Sequence, residues 1–207
     1  MVKVGRIVIG ELQTNCYFLY HEDNAEAIVI DPADKGDQIY RKLKEAGFEI
    51  KAILLTHGHF DHILGVNKLK ELTRAQIYAH IDEEKLLQDT VMNLTSWAGQ
   101  ETIVIADHLL QDKEILNIAG FKMQVISTPG HTKGSCSFYL EEDHILVSGD
   151  TMFEASVGRS DFPTGNERQL MNSIKEILLK LPDETIVYPG HGEATCIRDE
   201  KIQNPYR

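Results

Sequence analysis

Cysteine is scarce in this chain. Cys16, Cys136 and Cys196 are the only three in 207 residues, and no C-x-x-C pair occurs. That excludes a disulfide framework and a four-cysteine zinc site, and it fits a reducing cytoplasm. Long apolar runs are missing as well. No stretch approaches the ~20 residues a membrane-spanning helix needs, and Met1 to Arg6 lacks the apolar core of a secretory signal. A cytoplasmic location is therefore expected. Basic residues are the third shortage: 21 Lys and Arg against 32 Asp and Glu give a net charge of -11. That disfavours nucleic acid and anionic membranes as partners, because both are bound through clustered Lys and Arg. The remaining composition, 42% hydrophobic and 26% charged, is that of a globular chain, and the length fits one domain over residues 1–207.

Histidine is not scarce, and it is clustered. Thr56-His57-Gly58-His59-Phe60-Asp61-His62 follows the apolar run Lys51 to Leu55, which reads as a buried strand, and precedes a helical pattern over Ile63 to Leu72. His57 and His59, two apart in an extended turn, point to one side. Asp61 and His62 can face the same space from the helix start. Four ligand-type side chains are more than one catalytic zinc needs, since such an ion takes three protein ligands and a water. Further candidates come from other strand ends. Phe121 to Ser127 ends in Thr128-Pro129-Gly130-His131, His144 to Gly149 ends at Asp150, and Thr185 to Tyr188 ends in Pro189-Gly190-His191. Pro fixes one backbone angle and Gly permits a sharp turn, so each Pro-Gly pair can aim its histidine. The residues fall into two sets, His57, His59 and His131, and Asp61, His62 and His191. Asp150 is left over and can bridge two ions. Donors of nitrogen and oxygen only suit zinc, iron or manganese.

In these motifs, with Gly149-Asp150-Thr151 and Gly190-His191-Gly192 in the same order, the chain resembles the metallo-β-lactamase superfamily. Within it the chain is similar to the glyoxalase II (hydroxyacylglutathione hydrolase) branch. The resemblance runs from Val2 to about Glu193. It implies two divalent metal ions, most simply Zn2+, and hydrolysis of small acyl thioesters such as S-lactoylglutathione by attack of a metal-bridging hydroxide on the carbonyl. The first set would stabilise the oxyanion and the second the leaving thiolate, while Asp61 orients the hydroxide. Metallo-β-lactamases proper generally lack a carboxylate at the position of Asp150, so thioester hydrolysis stands ahead of antibiotic hydrolysis. In glyoxalase II a basic residue in a similar place contacts the glutathione moiety, and the resemblance makes Arg159 its match, a substrate-binding residue. Arg159 equally suits pairing with Asp161 to pin its loop. Asp31, at a strand end before Pro32, reads either as a partner for a ligand histidine or as a turn residue. Only Ala194 to Arg207 follows the last histidine, so the short type without the C-terminal glutathione-binding helical domain is expected. Persulfide dioxygenases share this fold and nearly all these residues but use one iron on a subset such as His57, His131 and Asp150, and they are the alternative. His21, His80, His108 and His144 read as surface or core-edge histidines, Cys136 and Cys196 as small apolar residues outside the metal site, and Trp97 has no motif around it.

Taken in order, strands are predicted over Lys3–Ile9, Asn15–His21, Glu26–Ile30 and Lys51–Leu55, with a helix over Asp37–Ala46. A strand at Gln76–His80 and a short helix at Asp82–Gln88 follow, and Asp89 to Ala106 is irregular. Strands are then predicted over Glu114–Ile118, Phe121–Ser127, Ser135–Leu140 and His144–Ser148. Met152 to Gly165 reads as a loop. Asn166–Lys180 reads as an amphipathic helix capped by Asn166. Runs of strands with single helices between them give an α+β fold, an αββα sandwich of two mixed sheets with helices on the outer faces.

Overall fold

A computed structural model describes all 207 residues. Two six-stranded sheets pack face to face. The first comprises β1 (Val2–Ile9), β2 (Thr14–His21), β3 (Glu26–Ile30), β4 (Glu49–Leu54), β5 (Gln76–His80) and β6 (His108–Leu110), in sequential order. β1 to β3 are antiparallel, and β3 to β6 are parallel. The parallel part requires crossovers, and α1 (Gly36–Glu45) and α3 (Val66–Thr73) supply them on the outer face. The second sheet has the order β14 (Thr195–Cys196), β13 (Ile186–Pro189), β10 (Ile145–Gly149), β9 (Cys136–Leu140), β8 (Phe121–Ser127), β7 (Ile115–Ile118). All of its pairings are antiparallel except β10 with β13. Both sheets are mixed, and the layers are the predicted αββα.

Strand alternation explains the apolar runs. Ile28 and Ile30 of β3, with Ala52 and Leu54 of β4, point between the sheets against Val125, Phe138 and Val147. Val29 and Ile53, one residue off, point outward under Ile39, Leu43, Val66 and Leu69 of α1 and α3. On the far side Leu146 and Val187 meet Ile174, Leu178 and Ile197. Strands buried on both faces need apolar residues at every position, which is why β4 and β10 read as continuous hydrophobic runs.

Two predicted helices are interrupted. Instead of one helix over Ile63–Leu72 there are α2 (Phe60–Ile63) and α3, separated at Leu64–Gly65. The Ala33 N–H donates to the His62 carbonyl at 3.0 Å and the Gly65 N–H to the Ala33 carbonyl at 2.7 Å, so the loop after β3 takes hydrogen bonds that a continuous helix would use. The predicted short helix over Asp82–Gln88 is a 3-10 turn (Ile81–Glu83) followed by α4 (Glu84–Leu87). α5 (Glu167–Asn172) is capped by Asn166, whose Oδ1 accepts the Gln169 N–H at 3.0 Å. It then passes into a π turn (Ser173–Ile177) and a 3-10 turn (Leu178–Lys180). The predicted loop over Met152 to Gly165 opens with a hairpin, β11 (Met152–Phe153) and β12 (Ser156–Val157). A final helix, α6 (Ile197–Gln203), lies beyond the last histidine. No helix is long and apolar enough to cross a membrane.

Candidate metal centre

β3 and β4 run parallel, and β8, β10 and β13 share one direction through their pairings. Their C-terminal ends therefore meet at one edge of the sandwich. That edge gathers Asp31 after β3, the Thr56–His62 stretch after β4, His131 after β8, Asp150 after β10 and His191 after β13. The structure brings all seven proposed metal-ligating residues, His57, His59, Asp61, His62, His131, Asp150 and His191, to this edge.

His131 Nε2 lies 2.8 Å from His59 Nδ1 and 3.2 Å from His57 Nε2. Asp61 Oδ2 lies 3.1 Å from His191 Nε2 and 3.5 Å from His62 Nε2. Ligand atoms of His57, His59 and His131 fall within 4.8 Å of one another, and so do those of Asp61, His62 and His191. Asp150 stands between the groups. Its Oδ2 is 3.7 Å from His131 and 3.5 Å from His191, and its Oδ1 is 3.4 Å from His62.

Hydrogen bonds fix which ring nitrogen faces inward. Asp31 Oδ2 accepts from His62 Nδ1 at 2.9 Å, the Arg159 carbonyl from His131 Nδ1 at 2.7 Å, and the Leu12 carbonyl from His191 Nδ1 at 3.2 Å. Thr56 Oγ1 donates to Asp31 at 2.6 Å and sits 3.1 Å from His57 Nδ1, so it accepts the proton there. Four imidazoles thus turn Nε2 toward the site, the nitrogen that would ligate a metal. His62 Nε2 and Asp150 Oδ1 are buried and have no hydrogen-bond partner. Buried polar atoms are rarely left so, and two of them facing each other fit a cation between. The donor set therefore fits divalent metal.

Electrostatics point the same way. Burial pulls His57 well below its ordinary range, His59 to about 3, and His131 downward. These three are neutral imidazoles. Burial also opposes the charged form of His62 and His191. The carboxylates of Asp61, Asp150 and Asp31 outweigh it for His62, and Asp150 with Asp61 lift His191 to about 9. Burial opposes the ionised forms of Asp61 and Asp150 in turn, and His62 and His191 overcome it, leaving both low. The two acids call for positive charge among them, which a divalent cation supplies.

Two glycines of the Pro-Gly-His turns have separate reasons. Gly130 has φ 138, and a Cβ there would run into the backbone of Leu170 at the start of α5. A Cβ on Gly190 would strike Asp150 Oδ1. Asp31 holds φ 50 before Pro32, a strained placement kept by bonds to the Thr56 N–H (2.8 Å), Thr56 Oγ1 and His62. Arg159 lines the cavity, pairs with Asp161 through two bonds of 2.7 and 2.8 Å, and lies 3.6 Å above the Phe162 ring.

Several supporting residues carry no motif. Thr14 Oγ1 donates to Asp61 Oδ2 at 2.9 Å. Asn15 and Tyr17 donate to the Pro189 carbonyl at 2.9 and 2.8 Å, steadying the His191 turn. Glu83, only 1% exposed, accepts hydrogen bonds from the Gly58 N–H at 2.9 Å, the Gly134 N–H at 2.8 Å and the Thr132 hydroxyl at 3.0 Å. It thereby ties the His57–His59 turn to the loop after His131. The polar pair Thr14-Asn15 opening an apolar strand was a signal for the first two. Glu83 had none, because Asp82-Glu83-Glu84 reads as a solvated helix start. His80 bonds Ser127 Oγ at 2.9 Å, and His21 and His108 stack on Phe121 and Tyr78, outside the clusters.

A mixed αββα sandwich with histidines and aspartates converging at one sheet edge defines a metal-dependent hydrolase scaffold. The metallo-beta-lactamase superfamily profile matches residues 9–191, and the chain belongs to that superfamily, whose members bind divalent metals. It is 38% identical over 207 residues to the "Probable metallo-hydrolase YqgX" of Bacillus subtilis, covering 99% of this chain and 97% of that one. It is 32% identical over 211 residues to the "Hydroxyacylglutathione hydrolase GloC" of Haemophilus influenzae, covering 99% and 98%. Among solved structures it superposes on the BLEG-1 B3 metallo-beta-lactamase with TM-score 0.94, at 39% identity and 99% coverage of both chains. TTHA1623 in a di-iron-bound form gives TM-score 0.87, 33% identity, and 98% and 100% coverage. ETHE1 from Myxococcus xanthus gives 0.82, 28%, and 98% and 83%.

Proposed function

We propose that this chain is a dinuclear metallohydrolase of small acyl thioesters, S-lactoylglutathione among them. One observation carries the reading. There are two complete donor sets rather than one, with Asp150 between them and the buried His62 Nε2 and Asp150 Oδ1 left for a second ion. Persulfide dioxygenases keep nearly the same residues, so the number and kind of ions bound, rather than the donor set, separates that reading from this one. The likeness to GloC supports a glutathione thioester as one substrate.

In this reading His57, His59 and His131 would hold one ion, Asp61, His62 and His191 would hold the other, and Asp150, placed between the two sets, would serve both. Two divalent cations, Zn2+ as we assign them with iron or manganese also suited, supply a hydroxide at neutral pH and Lewis acidity toward a carbonyl. Asp61, its Oδ2 held by Thr14, would orient the attacking water by accepting a hydrogen bond from it. Asp31 holds the His62 proton on Nδ1 and so keeps Nε2 free. Arg159, already paired with Asp161, anchors the wall of the cavity beside the substrate. Overall a C–O bond forms from water, the C–S bond breaks, and the thiolate takes up a proton.

The test is the hydrolysis of S-D-lactoylglutathione by zinc-reconstituted protein at pH 7, with metal content measured. The expected result is two ions per chain and a kcat/KM of about 10⁴ M⁻¹s⁻¹ or more. One iron per chain with oxygen uptake on a persulfide, or turnover of a β-lactam with none of any thioester, would overturn it.

A further inference from the structure

The cavity over the metal-ligating residues is about 480 Å³ and is walled by apolar side chains, notably Leu12, Phe60, Leu94, Trp97, Phe153 and Phe162. Trp97 is the one tryptophan of the chain, and it is 75% exposed. A scattered exposed leucine needs no explanation, but a large ring left in water beside a reaction site does. It stands edge-on to Phe162, with centroids 6.0 Å apart at 89°, and Phe162 is in turn 5.7 Å from the His59 ring. The two aromatic rings thus line the way to the three-histidine set from two separate loops.

The segment that carries Trp97 is firmly tied, despite its irregular sequence. Asn93 and Thr95 are fully buried. Asn93 Nδ2 donates to the Thr102 carbonyl at 2.9 Å, Thr95 Oγ1 to Asn93 Oδ1 at 2.7 Å, and the Thr102 N–H to Thr95 Oγ1 at 3.0 Å. Polar residues inside the loop hold an aromatic one outside it. That arrangement presents a surface at little ordering cost to a ligand.

Charge in the cavity is the complementary observation. Arg159 is the only Lys or Arg among the lining residues, and Asp161 already neutralises it while it stacks on Phe162. The adjoining groove shares Leu12, Phe60, Asp61 and Trp97 and adds Glu11 and Asp34, with no base. Arg159 apart, no Lys or Arg lines either the cavity or the groove.

We propose that the cleft selects its substrate by an apolar acyl group, aryl or medium-chain aliphatic, packed between Trp97 and Phe162. Trp97 is then a specificity-determining residue. The acyl-side assignment rests on the thioesterase reading above, because the rings neighbour the histidine set assigned to the carbonyl oxygen. The existence of an apolar binding site does not rest on it.

Two measurements separate these. In the first, metal-loaded protein is titrated with non-hydrolysable thioethers of N-acetylcysteamine, S-phenylethyl against S-methyl, while the emission of the single tryptophan is followed. A saturable blue shift with the phenylethyl compound and none with the methyl compound is expected, and Phe162→Ala should weaken the former about fivefold. No emission change would overturn the site. So would emission already blue and concentration-dependent without ligand, since another copy of the chain would then cover Trp97. In the second, kcat/KM is compared for acetyl, hexanoyl and phenylacetyl thioesters of N-acetylcysteamine. The longer two should exceed the acetyl about tenfold, and in Trp97→Ala, with metal content checked, that ratio should collapse toward one. A flat series in an active enzyme would overturn the acyl assignment. A blue shift without turnover of any thioester would uphold the apolar site and remove the thioesterase reading instead.

Discussion

Replacing Glu83 by glutamine separates fold stability from metal binding. Burial pushes the Glu83 carboxyl up from its ordinary 4.5 to about 7, although the Gly58 N–H, Thr132 Oγ1 and Gly134 N–H pull the other way. That displacement corresponds to about 3 kcal/mol between the two protonation states. The folded chain holds the proton more tightly than the unfolded one. The side chain therefore favours folding most below pH 4.5, and this advantage is lost as pH rises toward 7. Glutamine does not titrate, so the wild-type advantage over Glu83→Gln should shrink by about 2 kcal/mol between pH 5 and pH 8. At pH 8 relief from the buried charge is offset by the amide. If its oxygen serves Thr132 and Gly134, its NH2 faces the Gly58 N–H, and an unsatisfied buried donor costs about 1–3 kcal/mol. Stability at pH 8 should thus change little. Gly58 lies between His57 and His59, however, so the loosened turn should weaken zinc binding about 10–100-fold, as when a hydrogen-bond partner of a ligand is lost. Urea denaturation of metal-free wild type and variant at pH 5 and pH 8, with zinc titration against a competing chelator at pH 8, reads both effects. A wild-type advantage that grows with pH, or unchanged zinc affinity, would refute the reasoning.

Two further outcomes follow from the geometry. Asp150→Ala should lose metal and activity together, by more than about 100-fold in kcat/KM; full activity with two bound ions would remove the bridging role. Asp31→Ala leaves the His62 Nδ1–H and Thr56 without their acceptor, so metal affinity should fall about 10–100-fold, and an unaltered metal stoichiometry at submicromolar zinc would count against it.

Thr56–His62, the two Pro-Gly-His turns and Asp150 were legible in the sequence because each lies just after an apolar strand, where the chain leaves the core. The continuous hydrophobic runs of β4 and β10 likewise announced sheets covered on both faces, and with them the αββα layers. Local rules failed where a distant segment competed for backbone hydrogen bonds. The break at Leu64–Gly65 depends on the Ala33 loop, and no periodicity within Ile63–Leu72 records it. Glu83 looked like a solvated acid because its three donors come from Gly58, Thr132 and Gly134, far away in sequence. Trp97 looked idle because its partner Phe162 lies on another loop. Residue type and spacing alone thus determined which side chains could serve as ligands and that they follow strands. The strand order of both sheets decided that those strand ends meet at one edge, which hydrogen bonds orient each imidazole, and which rings enclose the cavity, since these are contacts between segments that no local pattern encodes.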